Sequence, residues 1–334
     1  MLAQSANGAS RHSSAQRAQP LFKKGPIVTK AFVFPGQGSQ AVGMLSDSQL
    51  AVDSVFKRAS DVLGYDLWEL TQEGPEERLN ATEFTQPALL TASYALWLIA
   101  KNAGITADFV AGHSLGEYSA LVASEVIAFE DAVSLVQTRG QLMQAAVPIG
   151  EGGMAAIMGL ADDQVVAICE AVTLEVDGSV EPANLNAPGQ IVISGTQAAL
   201  ETACARCLDS GAKRALPLNV SAPFHSRLMA EAAEQMATAL DEVTFSAPRI
   251  SVVQNVVAET VSDPGMIRNN LVTQMYGAVR WTESVQHLVA SGVETFIECG
   301  PGKVLSGLIK RIEKQVTTEQ VGSANAALLT SGDQ

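Results

Sequence analysis

The pentapeptide Gly112-His113-Ser114-Leu115-Gly116 constrains this chain more than any other stretch. An apolar run at 108–111 leads into it, and a helical pattern starts at Leu115. The chain must therefore pass from strand to helix within a few residues. Glycines permit a turn that tight, and the turn lifts the Ser114 hydroxyl clear of the backbone with the Leu115 N–H aimed where an oxyanion would form. A strand, a sharp turn and a helix in that order belong in an α/β layer architecture.

The rest of the pattern agrees. A short buried strand at 31–34 ends in the Gly-rich turn GQGSQ, and helices are expected at 49–63, 86–102 and 131–146. From Gly153 the rhythm changes. Strand-like 154–158, helical 162–172, strand-like 180–184 and 190–194, helical 196–210 and strand-like 214–220 follow one another. That is the β-α-β-β-α-β order of a ferredoxin-like unit, here inserted into the larger layer. Afterwards come a helix at 228–240, a strand at 250–253, helices at 267–276 and 282–290, a strand at 295–298, a GPGK turn and a helix at 304–314. The expected organisation is a leader over 1–30, a parallel-sheet α/β unit over 31–150 and 224–316, a ferredoxin-like unit over 151–223, and a flexible tail over 317–334.

Composition narrows the function classes. The 334 residues carry a net charge of −14, which argues against a generic binder of nucleic acid or anionic membrane. Residues 1–30 run the other way, with Arg11, Arg17, Lys23, Lys24 and Lys30 and no acid. This leader has no apolar core of the secretory type, which leaves a transit peptide, an expression scar or a bacterial extension. The longest apolar stretch, 87–100, is too short to span a bilayer. Four cysteines in a chain this long suit a reducing compartment, and the lone Cys204-x-x-Cys207 reads as helix packing rather than a zinc site. A cytoplasmic location is expected, with a plastid or mitochondrial matrix as the alternative.

A serine nucleophile needs a base, and there are four histidines: His12, His113, His225 and His287. His12 lies in the leader, His287 on a helix, and His113 beside the nucleophile, where neighbours on a tight turn point apart. His225, in a loop after a strand, is the best base. Arg139 sits on a helix with Leu135, Val136, Leu142 and Met143 as its i±3 and i±4 neighbours, so its guanidinium faces the core. It needs either an internal carboxylate or a ligand anion, and the sequence leaves both open. Gly36-Gln37-Gly38-Ser39-Gln40-Ala41 mimics a dinucleotide fingerprint but lacks a βαβ continuation. It reads better as a second source of backbone N–H groups.

These segments resemble the malonyl-CoA:acyl carrier protein transacylases of fatty acid synthesis and the acyltransferase domains of polyketide synthases. FVFPGQGSQ (32–40), TQPALLTAS (85–93), GHSLGEYSAL (112–121) and Arg139-Gly140 match in family order. So do NLNAPGQIVISG (184–195), AKRALPLNVSAPFH (212–225), VRW (279–281) and GPGKVL (300–305). The resemblance implies a hydrolase-like parallel-sheet subdomain with an inserted ferredoxin-like subdomain. It makes Ser114 the nucleophile, His225 its base and Arg139 the clamp for a malonyl carboxylate. Main-chain N–H groups of Gln37 and Leu115 would form the oxyanion hole, with Gln86, His113, Asn184 and Asn186 at pocket positions. Bacterial members often have Gln where this chain has Arg280, a position whose main-chain carbonyl is expected to orient the histidine.

The implied reaction moves a malonyl group from malonyl-CoA to the thiol of acyl carrier protein, with no cofactor or metal and with the chain a monomer. Phe224 beside His225 would crowd an α-methyl branch, favouring malonyl over methylmalonyl. Lys303, Lys310, Arg311 and Lys314 offer a basic patch for an acidic carrier, and Arg206, Lys213 and Arg214 a second. Three rivals share part of the pattern. A thioesterase would need a histidine near the C-terminus and leaves Arg139 unexplained. A polyketide-pathway acyltransferase differs only in its carrier. A catalytically dead carrier-binding module fits poorly with Ser114, His225 and Arg139 all present.

Overall fold

The computed structural model describes residues 29–220 and 222–321, and the backbone of 328–330. In chain order the first half holds β1 (Thr29–Phe34), α1 (Gln49–Leu63), α2 (Leu67–Glu73), α3 (Glu76–Asn80), α4 (Thr82–Asn102), β2 (Phe109–Gly112), α5 (Gly116–Ala123) and α6 (Phe129–Ala145). The small unit follows with β3 (Gly152–Met158), α7 (Asp162–Glu175), β4 (Val180–Ala187), β5 (Gln190–Thr196), α8 (Gln197–Asp209) and β6 (Arg214–Pro217). The chain then forms α9 (Ala230–Asp241), β7 (Ser251–Gln254), β8 (Glu259–Val261), α10 (Pro264–Tyr276) and α11 (Trp281–Ala290). Last come β9 (Val293–Glu298), α12 (Val304–Ile312), β10 (Thr317–Val321) and β11 (Leu328–Thr330).

The large sheet has the order β11-β10-β9-β1-β2-β7-β8. Its five inner strands run parallel, and β8 and β11 add antiparallel edges. A parallel sheet has to be covered on both faces, and strand alternation shows how that is met. Phe32 and Phe34 of β1, Val110 of β2 and Ile297 of β9 point into one core, walled by α1, α4, α5, α6, α9 and α10. Ala31, Val33, Ala111 and Phe296 point into the other, walled by α11 and α12. Phe32 meets Trp97 of α4 edge to face at 5.0 Å, locking helix to strand.

The small sheet is antiparallel, with order β4-β5-β3-β6, which is the ferredoxin-like arrangement. Ala155, Ile157, Ile191 and Ile193 pack beneath α7 and α8. Met154 and Val192 on the opposite face join the main core. A strand-like bridge ties the two units: Leu185 N donates to Val279 O at 2.9 Å and Val279 N to Ala183 O at 2.8 Å.

Two expectations need correction. The tail expected to be flexible from residue 317 begins as β10, which extends the parallel sheet beside β9 with Thr318 and Val321 buried. Its polar sequence, TTEQV, hides a strand whose stability comes from main-chain pairing with β9. The leader lies outside the described residues except for Thr29 and Lys30, and these open β1.

Gly140 lets α6 approach α4 backbone to backbone, because a Cβ there would stand 2.7 Å from Glu83 Cα and 2.8 Å from Thr82 O. Gly140→Ala is therefore expected to lose about 1–3 kcal/mol of stability. Gly307→Ala, on α12 with open space around it, is expected to gain about 0.5–1 kcal/mol. Urea unfolding of the two variants beside the parent checks both signs.

Candidate active site

The elbow is built by steric exclusion. A Cβ on Gly112 would lie 1.9 Å from the Gly116 carbonyl, and a Cβ on Gly116 would lie 2.0 Å from Phe34 O. Only glycine fits either position. Ser114 between them holds φ at 51°, a left-handed conformation that L residues keep only when their surroundings force it. The GQGSQ turn leans on the elbow from β1, where a Cβ on Gly36 would stand 2.5 Å from His113 O. Two turns thus meet through bare main chain. Among the described residues no protein acceptor takes up the N–H of Gln37 or Leu115.

His225 comes from the loop before α9, also with positive φ, at 59°. Its Nε2 is 2.7 Å from Ser114 Oγ and its Nδ1 is 2.7 Å from Gln274 O. A carbonyl oxygen can only accept, so Nδ1 carries the proton and Nε2 is left to take one from serine. Burial, reinforced by the nearby Arg139 charge, drives the His225 pKa down to about 3, so the imidazole is neutral throughout the physiological range. The carbonyl expected from Arg280 is supplied by Gln274 instead. Arg280 O accepts from Ser284 N at 2.9 Å and Ser284 Oγ at 2.8 Å, while its guanidinium pairs with Glu283. The two residues lie six apart, on α10 and at the start of α11, and sequence alone had no way to choose between their carbonyls.

Arg139 is 1% exposed and makes no ion pair with any carboxylate among the described residues. Nη1 donates to Gln86 Oε1 at 2.8 Å, and Nη2 donates to Gln274 Oε1 at 2.8 Å and to Ser114 Oγ at 3.1 Å. The guanidinium carbon lies 5.6 Å from the centre of the Tyr118 ring. Neutral amides and a hydroxyl hold this cation, and Nε has no hydrogen bond. Burial therefore lowers its pKa.

The remaining expected residues separate. His113 reaches away from the nucleophile to Asn186, Nε2 to Oδ1 at 2.7 Å, and burial lowers its pKa. Gln86 lines the site from α4. Gln37 is tied through its side chain to Thr82 Oγ1 at 3.1 Å. Asn184 is buried in β4 beside the Val279 bridge, and no hydrogen bond links its side chain to the elbow. Of the carrier-docking candidates, Lys303 is exposed at the start of α12. Arg311 donates to Gln190 Oε1 at 2.6 Å, and Lys310 is committed to Val316 O. In the second patch Arg206 pairs with Glu175.

A support layer beneath the elbow was not anticipated. Asn255 Oδ1 accepts from Ser114 N at 2.7 Å while its Nδ2 donates to Gly112 O at 2.6 Å, clamping both ends of the turn. Asn255 N and Gln254 Nε2 each donate to Glu117 at 2.9 Å. The signal for Glu117 was present, as the one charged residue in the otherwise apolar or small helix GEYSALVA, buried along its whole length.

Comparison with known proteins identifies the family. The model of the "Acyl transferase domain" family matches residues 31–328. The chain belongs to the acyl transferase domain family. This acyl transferase domain is 52% identical over 307 residues to the malonyl CoA-acyl carrier protein transacylase of Salmonella typhimurium, covering 90% of this chain and 98% of that one. It is 48% identical over 291 residues to the protein of the same name from Bacillus subtilis, covering 86% and 92%. Among solved structures, an acyl carrier protein S-malonyltransferase from Vibrio cholerae superposes with a TM-score of 0.86 at 51% identity, covering 88% of this chain and 97% of that one. A malonyl-transacylase in complex with its type II polyketide acyl carrier protein gives 0.86 at 47% identity, covering 89% and 97%.

Asn255→Ala would strand the Ser114 N–H and the Gly112 carbonyl. It is expected to cost about 2–4 kcal/mol in chemical unfolding. Stopped-flow detection of serine acylation should slow at least about tenfold, the range of a displaced nucleophile.

Proposed function

We propose that this acyl transferase domain moves the malonyl group of malonyl-CoA to the phosphopantetheine thiol of acyl carrier protein through a malonyl-serine intermediate. The observation that carries the reading is the meeting of three groups at one oxygen. Ser114 Oγ lies 2.7 Å from a neutral imidazole and 3.1 Å from a buried guanidinium with no carboxylate partner. A hydrolase would use the first contact and has no use for the second. A substrate with a free carboxylate uses both.

The steps follow from the atoms. His225 Nε2 takes the Ser114 proton as Oγ attacks the thioester carbonyl. The main-chain N–H groups of Gln37 and Leu115 receive the developing oxyanion, which explains why two turns meet without side chains between them. The imidazolium returns its proton to the departing CoA sulfur, leaving a malonyl ester on Ser114. The carrier thiol then gives its proton to His225 and attacks the ester, and the serine hydroxyl is restored. Arg139 holds the malonyl carboxylate throughout. An acetyl group would leave the guanidinium without its anion, and sites built around a polar partner reject analogues lacking it. Gln86 positions Arg139, His113 and Asn186 form one wall, and Asn184 supports it from β4.

Arg311 and Lys310 are engaged with the protein, so the exposed Lys303 and Lys314 are the cations offered to an acidic carrier on that face. Residues 151–223 act as a roof over a catalytic unit formed by 31–150 and 224–316. The chain acts as a monomer in the cytoplasm and binds no nucleic acid. No helix among the described residues is long and apolar enough to cross a membrane.

Intact-protein mass spectrometry after brief exposure to malonyl-CoA tests the scheme. The parent chain should gain one malonyl group and lose it to holo acyl carrier protein, while Ser114→Ala gains none. Arg139→Ala should lose at least about a hundredfold in malonyl over acetyl preference, the scale of an unpaired buried charge. Free malonate and CoA accumulating in place of the adduct would make water the acceptor and the protein a hydrolase. The acid limb of kcat/KM should lie far below the ordinary histidine value of about 6.5, because a depressed pKa keeps His225 unprotonated down to low pH. Removing the Arg139 charge takes away one cause of that depression, so the limb in Arg139→Ala should move upward. A limb near 6.5 in the parent would contradict the arrangement.

A further inference from the structure

Glu117 takes no part in the steps above, yet it is fully buried one helical turn beyond the nucleophile. Its Oε1 accepts from Gln254 Nε2, and its Oε2 accepts from Asn255 N and from Gln274 Nε2 at 3.1 Å. Among the described residues no cation touches it. Arg139 is likewise buried without a carboxylate. The two are joined by a single side chain, because Gln274 accepts from Arg139 through Oε1 and donates to Glu117 through Nε2.

This spacing has a physical purpose. Two uncompensated charges in the interior would each be costly, and together they balance. Direct contact would balance them too, but it would fill the positions on the guanidinium that a substrate carboxylate must reach. One intervening amide gives Arg139 a counter-charge and leaves its front face held only by neutral, displaceable groups.

Building on the malonyl-transfer reading, we propose that Glu117 is the counter-charge of the Arg139 clamp and takes up a proton when the malonyl carboxylate docks, so that recognition of the acyl group is proton-coupled. Before docking, one cation and one anion share the buried site. After docking, two anions share one cation at low dielectric, and the anion with no direct hold on the guanidinium gives way. Glu117 is poised for this: burial pushes its carboxyl up to about 7, against the downward pull of its three N–H donors and of Arg139. Once Arg139 is shared with substrate its pull weakens and the carboxyl rises further.

The other groups facing this network do not compete for the proton. Arg139 on α6 stays charged, and Tyr118 on α5 is pushed up to about 12 by burial. His113 of the elbow and His225 of the loop before α9 are both held low by burial. β7 and α10 contribute the amides of Gln254, Asn255, Asn270 and Gln274, and α4 contributes Gln86. Glu117 is a positioning residue in this scheme and does not touch the acyl group.

Calorimetry on the non-acylating Ser114→Ala chain tests the idea. Malonyl-CoA and acetyl-CoA are titrated at pH 7.5 in two buffers of different ionisation enthalpy, so that protons from the CoA phosphates cancel in the difference. Malonyl-CoA should take up about 0.3–0.6 proton more than acetyl-CoA, and the malonyl preference should grow about threefold to tenfold from pH 8.5 to pH 6.5. Adding Glu117→Gln should abolish the extra uptake and leave a preference that is larger at pH 8.5 and independent of pH. The measurement on the Glu117 chain stands by itself if that second variant fails to fold. Preferential malonyl-CoA binding without extra proton uptake would overturn the proposal and leave the clamp intact. Equal binding of the two thioesters at every pH would overturn the clamp itself, and the proposal with it.

Discussion

A guanidinium held in the protein interior without a touching carboxylate is the constraint around which this molecule is arranged. Arg139 brings charge to a place where water cannot screen it. The fold answers with amides: Gln86 from α4 and Gln274 from α10 fix its two terminal nitrogens, and Ser114 takes a third hydrogen bond. Each of those partners stands on a different element, so the position of one side chain depends on α4, α5, α6 and α10 packing together correctly. Gly140, next to Arg139 in the chain, lets α6 touch the backbone of α4.

Around that cation the site divides into two layers. In front stand the Ser114 hydroxyl, the His225 imidazole, the Arg139 guanidinium and two main-chain N–H groups with no protein acceptor among the described residues. Behind them lies a network of Gln254, Asn255, Gln274 and Glu117, closed at one end by Asn270, in which the first three amides each bridge two neighbours. The rear layer carries the strain of the front one. Ser114 and His225 both hold positive φ, and Asn255 clamps the turn around Ser114, while Gln274 and Met275 fix His225 through main-chain carbonyls. Gln274 serves both layers at once, which makes α10 the element on which Ser114, His225 and Arg139 all converge.

Much of this was legible before the fold. Strand and helix order, the ferredoxin-like insertion and the approach of Ser114 to His225 followed from periodicity, turn chemistry and the small number of histidines. Arg139 announced itself by standing on an apolar helix face. The sequence did not show which carbonyl would orient His225, because any residue can supply one and only the path of the chain decides. It also hid β10, whose polar residues owe their strand to a neighbour, and Asn255, an ordinary amide in an ordinary strand end. Local pattern reports what a residue prefers. It does not report which main-chain atom a distant loop will place beside it.

The contact between the two Gly-bearing turns carries a consequence for how such a protein can change. In the proposed reaction, the donors that meet the developing charge are main-chain atoms positioned by Gly36, Gly112 and Gly116, where no side chain fits. The same proposal puts the choice of acyl group in side chains, Arg139 and Gln86 on helices and Phe224 in the loop before α9. Bond-making machinery and acyl choice are therefore separable by construction. A descendant of this chain could accept a neutral or a branched acyl group by exchanging those side chains alone, while the reaction centre it inherits stays the same.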